Sequence, residues 1–89
     1  MEFEFDPAKD IANSTKHGVS LAMAVELDWN NALVWPDTRQ NYGEDRMCAL
    51  AAVRERVHFV VFVDRDDIRR IISLRKANER EVRFYAENA

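Results

Sequence analysis

Val57-His58-Phe59-Val60-Val61-Phe62-Val63 is the run that decides the fold. It is β-branched and aromatic, with almost no polar side. A strand of that kind is central in its sheet and covered on both faces. Reading outward, Arg54-Glu55-Arg56 is a tight turn that joins it to a preceding strand, Arg46 to Val53. Arg65-Asp66-Asp67 is a second turn, leading into a strand from Ile68 to Arg75. Three consecutive strands with short turns make an antiparallel meander. Further out, Ala32-Leu33-Val34-Trp35 is a strand ended by Pro36-Asp37, and Thr38 to Asp45 is a polar connection.

Helices flank this sheet in the sequence. Asp6-Pro7 starts one, because Asp caps free N–H groups and Pro suits the first helical position. It runs to Lys16 and ends at His17-Gly18, where Gly supplies a left-handed cap. Ser20 caps a second helix that extends toward Glu26 and Asp28 and stops at Trp29-Asn30-Asn31. Asn78 caps a third, from Glu79 to about Glu87. Phe3 and Phe5 alternate with acids, the pattern of a short additional strand. The expected fold is α+β, with two N-terminal helices, an antiparallel sheet of three to four strands and a C-terminal helix, in a single domain over residues 1–89.

At 89 residues the chain buries one modest core, which favours an open working surface over a deep pocket. Apolar residues are 47% and charged residues 33%, an ordinary globular balance. One cysteine, Cys48, excludes an internal disulfide, and no Cys/His spacing suits zinc. The N-terminus is acidic and lacks a secretory pattern, so the expected location is the cytoplasm, with no membrane contact. No cofactor motif or glycine-rich phosphate loop is present, and none is expected to be needed. The net charge of −3 hides an asymmetry: residues 1–53 sum to −5 and residues 54–89 to +2. Seven of the nine basic residues in the second part lie between Arg65 and Arg83. Such a stripe is either a solvated face or a contact for phosphates.

The chemistry-bearing segment is Arg69-Arg70-Ile71-Ile72-Ser73-Leu74-Arg75-Lys76. In a regular strand Ile68, Arg70, Ile72 and Leu74 share one face, and Arg69, Ile71, Ser73 and Arg75 the other. Arginine on a half-buried sheet face needs a carboxylate or a phosphate. Two readings stand side by side: ion pairs with Glu44, Asp45 or Glu81, or a phosphate clamp by planar guanidinium groups. Glu44-Asp45-Arg46 opens the first long strand and can place an acid opposite those bases, or be a turn of mixed charge. His17, at a helix C-terminus beside Lys16, is either a capping histidine or a proton carrier. His58, Trp29, Trp35 and Cys48 are read as packing residues.

Three motifs in order along nearly the whole chain resemble the BrnT toxin family. They are Phe5-Asp6-Pro7-Ala8-Lys9 with Asn13 and Lys16-His17-Gly18-Val19; Gly43-Glu44-Asp45-Arg46; and Arg70-Ile71-Ile72-Ser73-Leu74-Arg75-Lys76-Ala77 with Glu81 and Tyr85. Phe5 stands where the family usually has Trp, Ala51 where Gly is common, and Leu74 where Ala is usual. The resemblance implies a RelE-like fold and a metal-independent endoribonuclease of a type II toxin–antitoxin system. It implies a BrnA-like ribbon-helix-helix antitoxin as partner, RNA as substrate, and promoter DNA bound through the antitoxin complex. The strand arginines it marks are Arg46, Arg70 and Arg75, with Lys76 nearby. For a metal-free cleavage by the ribose 2′-hydroxyl, Lys76 or His17 is the candidate proton carrier. The antitoxin is expected over Arg70, Arg75, Lys76, Arg80 and Arg83.

Overall fold

The computed structural model describes residues 1–89. The central strand is Arg56–Arg65 (β4), with six successive buried residues from His58 to Val63. Met47–Val53 (β3) and Ile68–Lys76 (β5) flank it in antiparallel register. Leu33–Pro36 (β2) pairs with the outer side of β3, antiparallel. Glu2–Glu4 (β1) pairs with β5 in parallel, so the spatial order is β1-β5-β4-β3-β2. The sheet is therefore five-stranded and mixed, not the purely antiparallel sheet of three to four strands expected. The cause lies in connectivity. A chain that enters through β1 and crosses to the far side of the sheet returns to β5 only from the other end, which makes that pair parallel.

Pro7–His17 (α1) has both signals read from sequence: Asp6 accepts a bond from the Ala8 N–H at 2.9 Å, and Gly18 closes the helix at φ 71°. The second helix is a correction. Leu21–Glu26 and Trp29–Asn31 are short 3₁₀ segments, separated by Leu27, which is extended, and Asp28. Ser20 does cap the first, accepting from Ala22 N–H. The tight winding ends once Leu21, Ala24 and Leu27 are buried, since those three fall on one side at three-residue spacing. Glu79–Asn88 (α2) follows its expected Asn78 cap, with a reciprocal capping box through Glu81.

The core lies on both faces of the sheet. α1 and the 3₁₀ segments cover Ala49, Ala51, Val60, Phe62, Ile71 and Leu74 on one side. The other side carries Cys48, Leu50, Phe59 and Val61, partly covered by Trp35, Ile72 and Tyr85. Leu74 is wholly buried, so its departure from the family's Ala is a matter of core volume. Asn13 joins α1 to the sheet. Its amide donates to the carbonyls of Val19 and Leu74, both at 2.8 Å, and accepts from the Leu74 N–H at 3.2 Å. β1 reaches only as far as Arg70, so this amide satisfies the β5 edge where no strand does.

Strand β5 also corrects the face assignment made from regular alternation. Val61 pairs with Ser73, but Phe62 pairs with Ile71, leaving Ile72 as an inserted residue. That bulge flips the phase of the strand. Ile71 and Leu74 both enter the α1-side core, while Ile72 packs on the α2 side.

Candidate functional site

The bulge has a direct effect on the arginines. Arg70 and Arg75 are five apart, which puts them on opposite faces of a regular strand. Here five steps along β5 match four along β4, from Val63 opposite Arg70 to Phe59 opposite Arg75. Both arginines therefore reach the α2 side. Arg69 reaches the other side, where it lies 4.4 Å from the Trp29 ring and is clamped by Asp64 at 2.7 and 2.8 Å. Arg46 precedes Met47, which pairs with Phe62. Continued by one residue, that register puts Arg46 beside Val63, across from Arg70. Arg46 and Arg70 are thus neighbours with one strand between them, about 10 Å apart at the usual strand spacing.

Each of the three arginines is held in place. Arg46 donates to Glu44 at 2.9 Å and stacks on Tyr42 at 4.1 Å. Arg70 reaches Glu4, its partner across the β1–β5 pair, at 3.2 Å. Arg75 makes a bidentate bond to Glu81 at 2.8 and 2.9 Å and lies 4.4 Å from the Phe59 ring centroid. The Arg75 guanidinium is the first cause holding the Glu81 carboxyl below its usual range. The ion pair anticipated between a β5 arginine and Glu81 is present at Arg75, whereas Glu44 pairs with its neighbour Arg46 and not with an arginine of β5. Arg70 instead finds Glu4, which sequence separation hid. A shallow hollow on this face is lined by Glu4, Glu44, Val63, Arg65, Ile68 and Arg70. Arg65 there has no carboxylate within ion-pair distance.

Lys76 and His17 are placed differently. Lys76 pairs with His58, on the α1 side of the sheet, and lines a hollow with His58, Arg54 and Gly18. It is part of β5, so it does not continue the basic face of α2 that Arg80 and Arg83 were expected to share with it. His17 closes α1 at the same end of the sheet. Its pKa is pulled below the ordinary imidazole value by desolvation, by Lys16 and by Arg75. His58 is buried, with Nδ1 2.9 Å from the Arg56 carbonyl, and burial lowers its pKa. Cys48 is buried, and desolvation pushes its thiol pKa up, away from the thiolate.

Sequence reasoning missed one cluster. Asp37 is fully buried at its side chain and takes a bidentate bond from Arg39, Nε at 2.8 Å and Nη2 at 2.7 Å. The Arg39 bond, with help from the Tyr42 hydroxyl, holds the Asp37 carboxyl well below the carboxylate range. The signal available was Pro36-Asp37-Thr38-Arg39, an acid and a base two apart after a strand-ending proline. It read as loop because the connection is polar throughout.

This small α+β protein thus carries Arg46, Arg70 and Arg75 on one face of its sheet, each paired with a carboxylate. Residues 5–81 match the model of the ribonuclease toxin BrnT of type II toxin–antitoxin systems, and the chain belongs to that family. No curated protein matches it. The family's toxins work with a protein antitoxin, and no helix of this chain is long and apolar enough to cross a membrane.

Proposed function

We propose that residues 1–89 form a single RelE-like unit that cleaves RNA without a metal ion and thereby stops translation and growth in the cytoplasm. The observation that carries this reading is the gathering of Arg46, Arg70 and Arg75 on one open face by the bulge at Ile72. The ribose 2′-hydroxyl attacks the adjacent phosphorus and the 5′-oxygen leaves. This needs stabilisation of charge on the phosphoryl oxygens and two proton transfers. Prepositioned guanidinium groups supply the first. His17, whose lowered pKa favours the neutral ring at pH 7, suits removal of the 2′-hydroxyl proton. Lys76, at the same end of β5, can protonate the leaving oxygen. Both must act around the strand end, since they approach from the α1 side. Single-stranded RNA fits an open face better than a duplex, whose geometry hides the reacting bond.

A BrnA-like ribbon-helix-helix antitoxin is the proposed partner, and promoter DNA is bound through its complex. A second reading has one observation in its favour: all three arginines already carry a carboxylate. An inactive homologue that only binds antitoxin and co-represses would look the same. Expression of the chain without antitoxin separates the two. Growth arrest with RNA breakdown, persisting for purified protein in EDTA, is expected. Intact RNA supports the binding-only reading, and cleavage that EDTA abolishes and a divalent metal restores refutes the mechanism.

A further inference from the structure

The three arginines leave a gap. Along β4, the positions opposite Arg70 and Arg75 are four residues apart, about 13 Å at the usual rise. Arg39 reaches into this stretch from its Arg75 end. Asp37, two residues before it, is level with Arg46, donating its N–H to the Arg46 carbonyl at 2.8 Å. Its guanidinium carbon reaches 5.7 Å from the Phe59 ring centroid, the ring on which Arg75 also lies. Both groups border one hollow together with Cys48 and Glu81.

The chemistry of this group differs from that of an ordinary surface arginine. Its partner carboxylate is wholly inaccessible, while the Arg39 side chain is 62% exposed. A buried carboxylate costs several kcal/mol unless a well-aligned partner offsets it, and that requirement fixes the arginine's position. Arg39 spends Nε and one N–H of Nη2 on Asp37, leaving three of its five side-chain donors for solvent. A cation so fixed loses little side-chain freedom on meeting an anion.

We propose that Arg39 contacts the substrate, binding an RNA phosphate next to the one held at Arg75, and that Asp37 is its positioning residue. This rests on the reading of the face as an RNA site. The track then runs Arg70, Arg46, Arg39, Arg75 without a break. Its ligand is a single-stranded polyphosphate chain. An acidic protein segment is the competing occupant that the test must exclude.

Arg39→Ala alone strands a buried carboxylate and can fail to fold, so the pair Asp37→Asn/Arg39→Ala is the working variant, with Arg39→Lys beside it. The probe is a single-stranded oligoribonucleotide with 2′-O-methyl groups, which cannot be cleaved, titrated at several salt concentrations. A cleavable oligonucleotide of the same sequence gives KM and kcat. For the double variant, affinity is expected to fall about tenfold and KM to rise by a similar factor, with a smaller loss in kcat. The slope of log K against log salt should drop by about 0.7, one single-strand phosphate contact. Arg39→Lys should keep the slope and recover part of the affinity. If a folded double variant binds the probe with parental affinity and slope while Arg75→Ala loses both, Arg39 is no substrate contact. If Arg46, Arg70 and Arg75 variants also bind like the parent, the fault lies with the face itself. Loss of antitoxin association with RNA binding intact overturns the proposal in favour of the protein segment.

Discussion

Arg75→Ala removes two things at once, and the structure allows them to be separated. The side chain makes two charged hydrogen bonds to Glu81 and covers Phe59. Breaking a fully buried pair costs about 3–5 kcal/mol. This pair is 31% and 20% exposed at its two side chains, so solvent screens it and about 1–2 kcal/mol is the reasonable share. For a domain of this size that lowers Tm by about 4–16 °C. The catalytic loss is separate: a preorganised charge contact to the developing phosphoryl oxyanion is worth about 100-fold or more in rate. Glu81→Gln is the control, since it takes the charge out of the same pair and leaves the arginine free, while its amide oxygen can still accept the Asn78 N–H that caps α2. Both variants should melt early by similar amounts. Only Arg75→Ala should lose about 100-fold in single-turnover cleavage at a temperature well below both melts. Equal rate losses for the two variants, in step with their stabilities, would show that Arg75 is a strut for α2 and not a phosphate ligand.

Three further outcomes follow from particular contacts. Asn13→Ala leaves both polar groups of Leu74 without partners and the Val19 carbonyl with only the Ser14 hydroxyl at 3.4 Å, so urea unfolding should show a loss of about 3 kcal/mol; a loss under 1 kcal/mol would mean that water replaces the amide at no cost. Glu81 has a folded pKa below its unfolded value of about 4.3, so its contribution is complete above that pH and disappears as pH falls through the lower folded value. Thermal melts from pH 6 to pH 2 should therefore fall less steeply for Glu81→Gln than for the parent, and parallel curves would contradict the assignment. Arg80→Glu with Arg83→Glu, on the exposed face of α2, should slow antitoxin association most at low salt; unchanged rates at low and moderate salt would place the antitoxin elsewhere.

Some of this was readable from local chemistry and some was not. Asp6-Pro7, Gly18 and Asn78 mark helix ends because each acts on backbone groups within a few residues. The apolar run in β4 identifies the central strand for a similar reason: burial on both faces leaves no polar side. The 3₁₀ winding after Ser20 was not readable, since helical spacing over six residues does not distinguish three from 3.6 per turn. Nor was the parallel pairing of β1 with β5, which depends on where the chain re-enters the sheet. Among the site residues, the Glu81 partner of Arg75 was among the expected acids because it is six residues away. The Glu4 partner of Arg70 is sixty-six away and depends wholly on the β1 pairing. The Asp37–Arg39 pair is local, but its burial is set by the packing of Trp35 and Phe59, which no local pattern shows.

The bulge at Ile72 ties the packing of the core and the placement of Arg75 to one backbone feature. Without it, the strand would need polar groups in the α1-side core: with Ile71 kept in place, Ser73 and Arg75 would follow it into that layer. The bulge avoids this by letting Ile71 and Leu74 share a core although they are three residues apart. The same shift carries Arg75 to the face that Arg70 already occupies. A dry core and the common face of Arg70 and Arg75 therefore depend on the same inserted residue. Deleting Ile72 should cost both together, whereas Ile72→Val, which keeps the backbone insertion and trims one methylene, should cost about 1 kcal/mol and spare the arginine geometry. A deletion variant that folds and still cleaves RNA would separate the two roles and leave the arginines' common face without a structural cause.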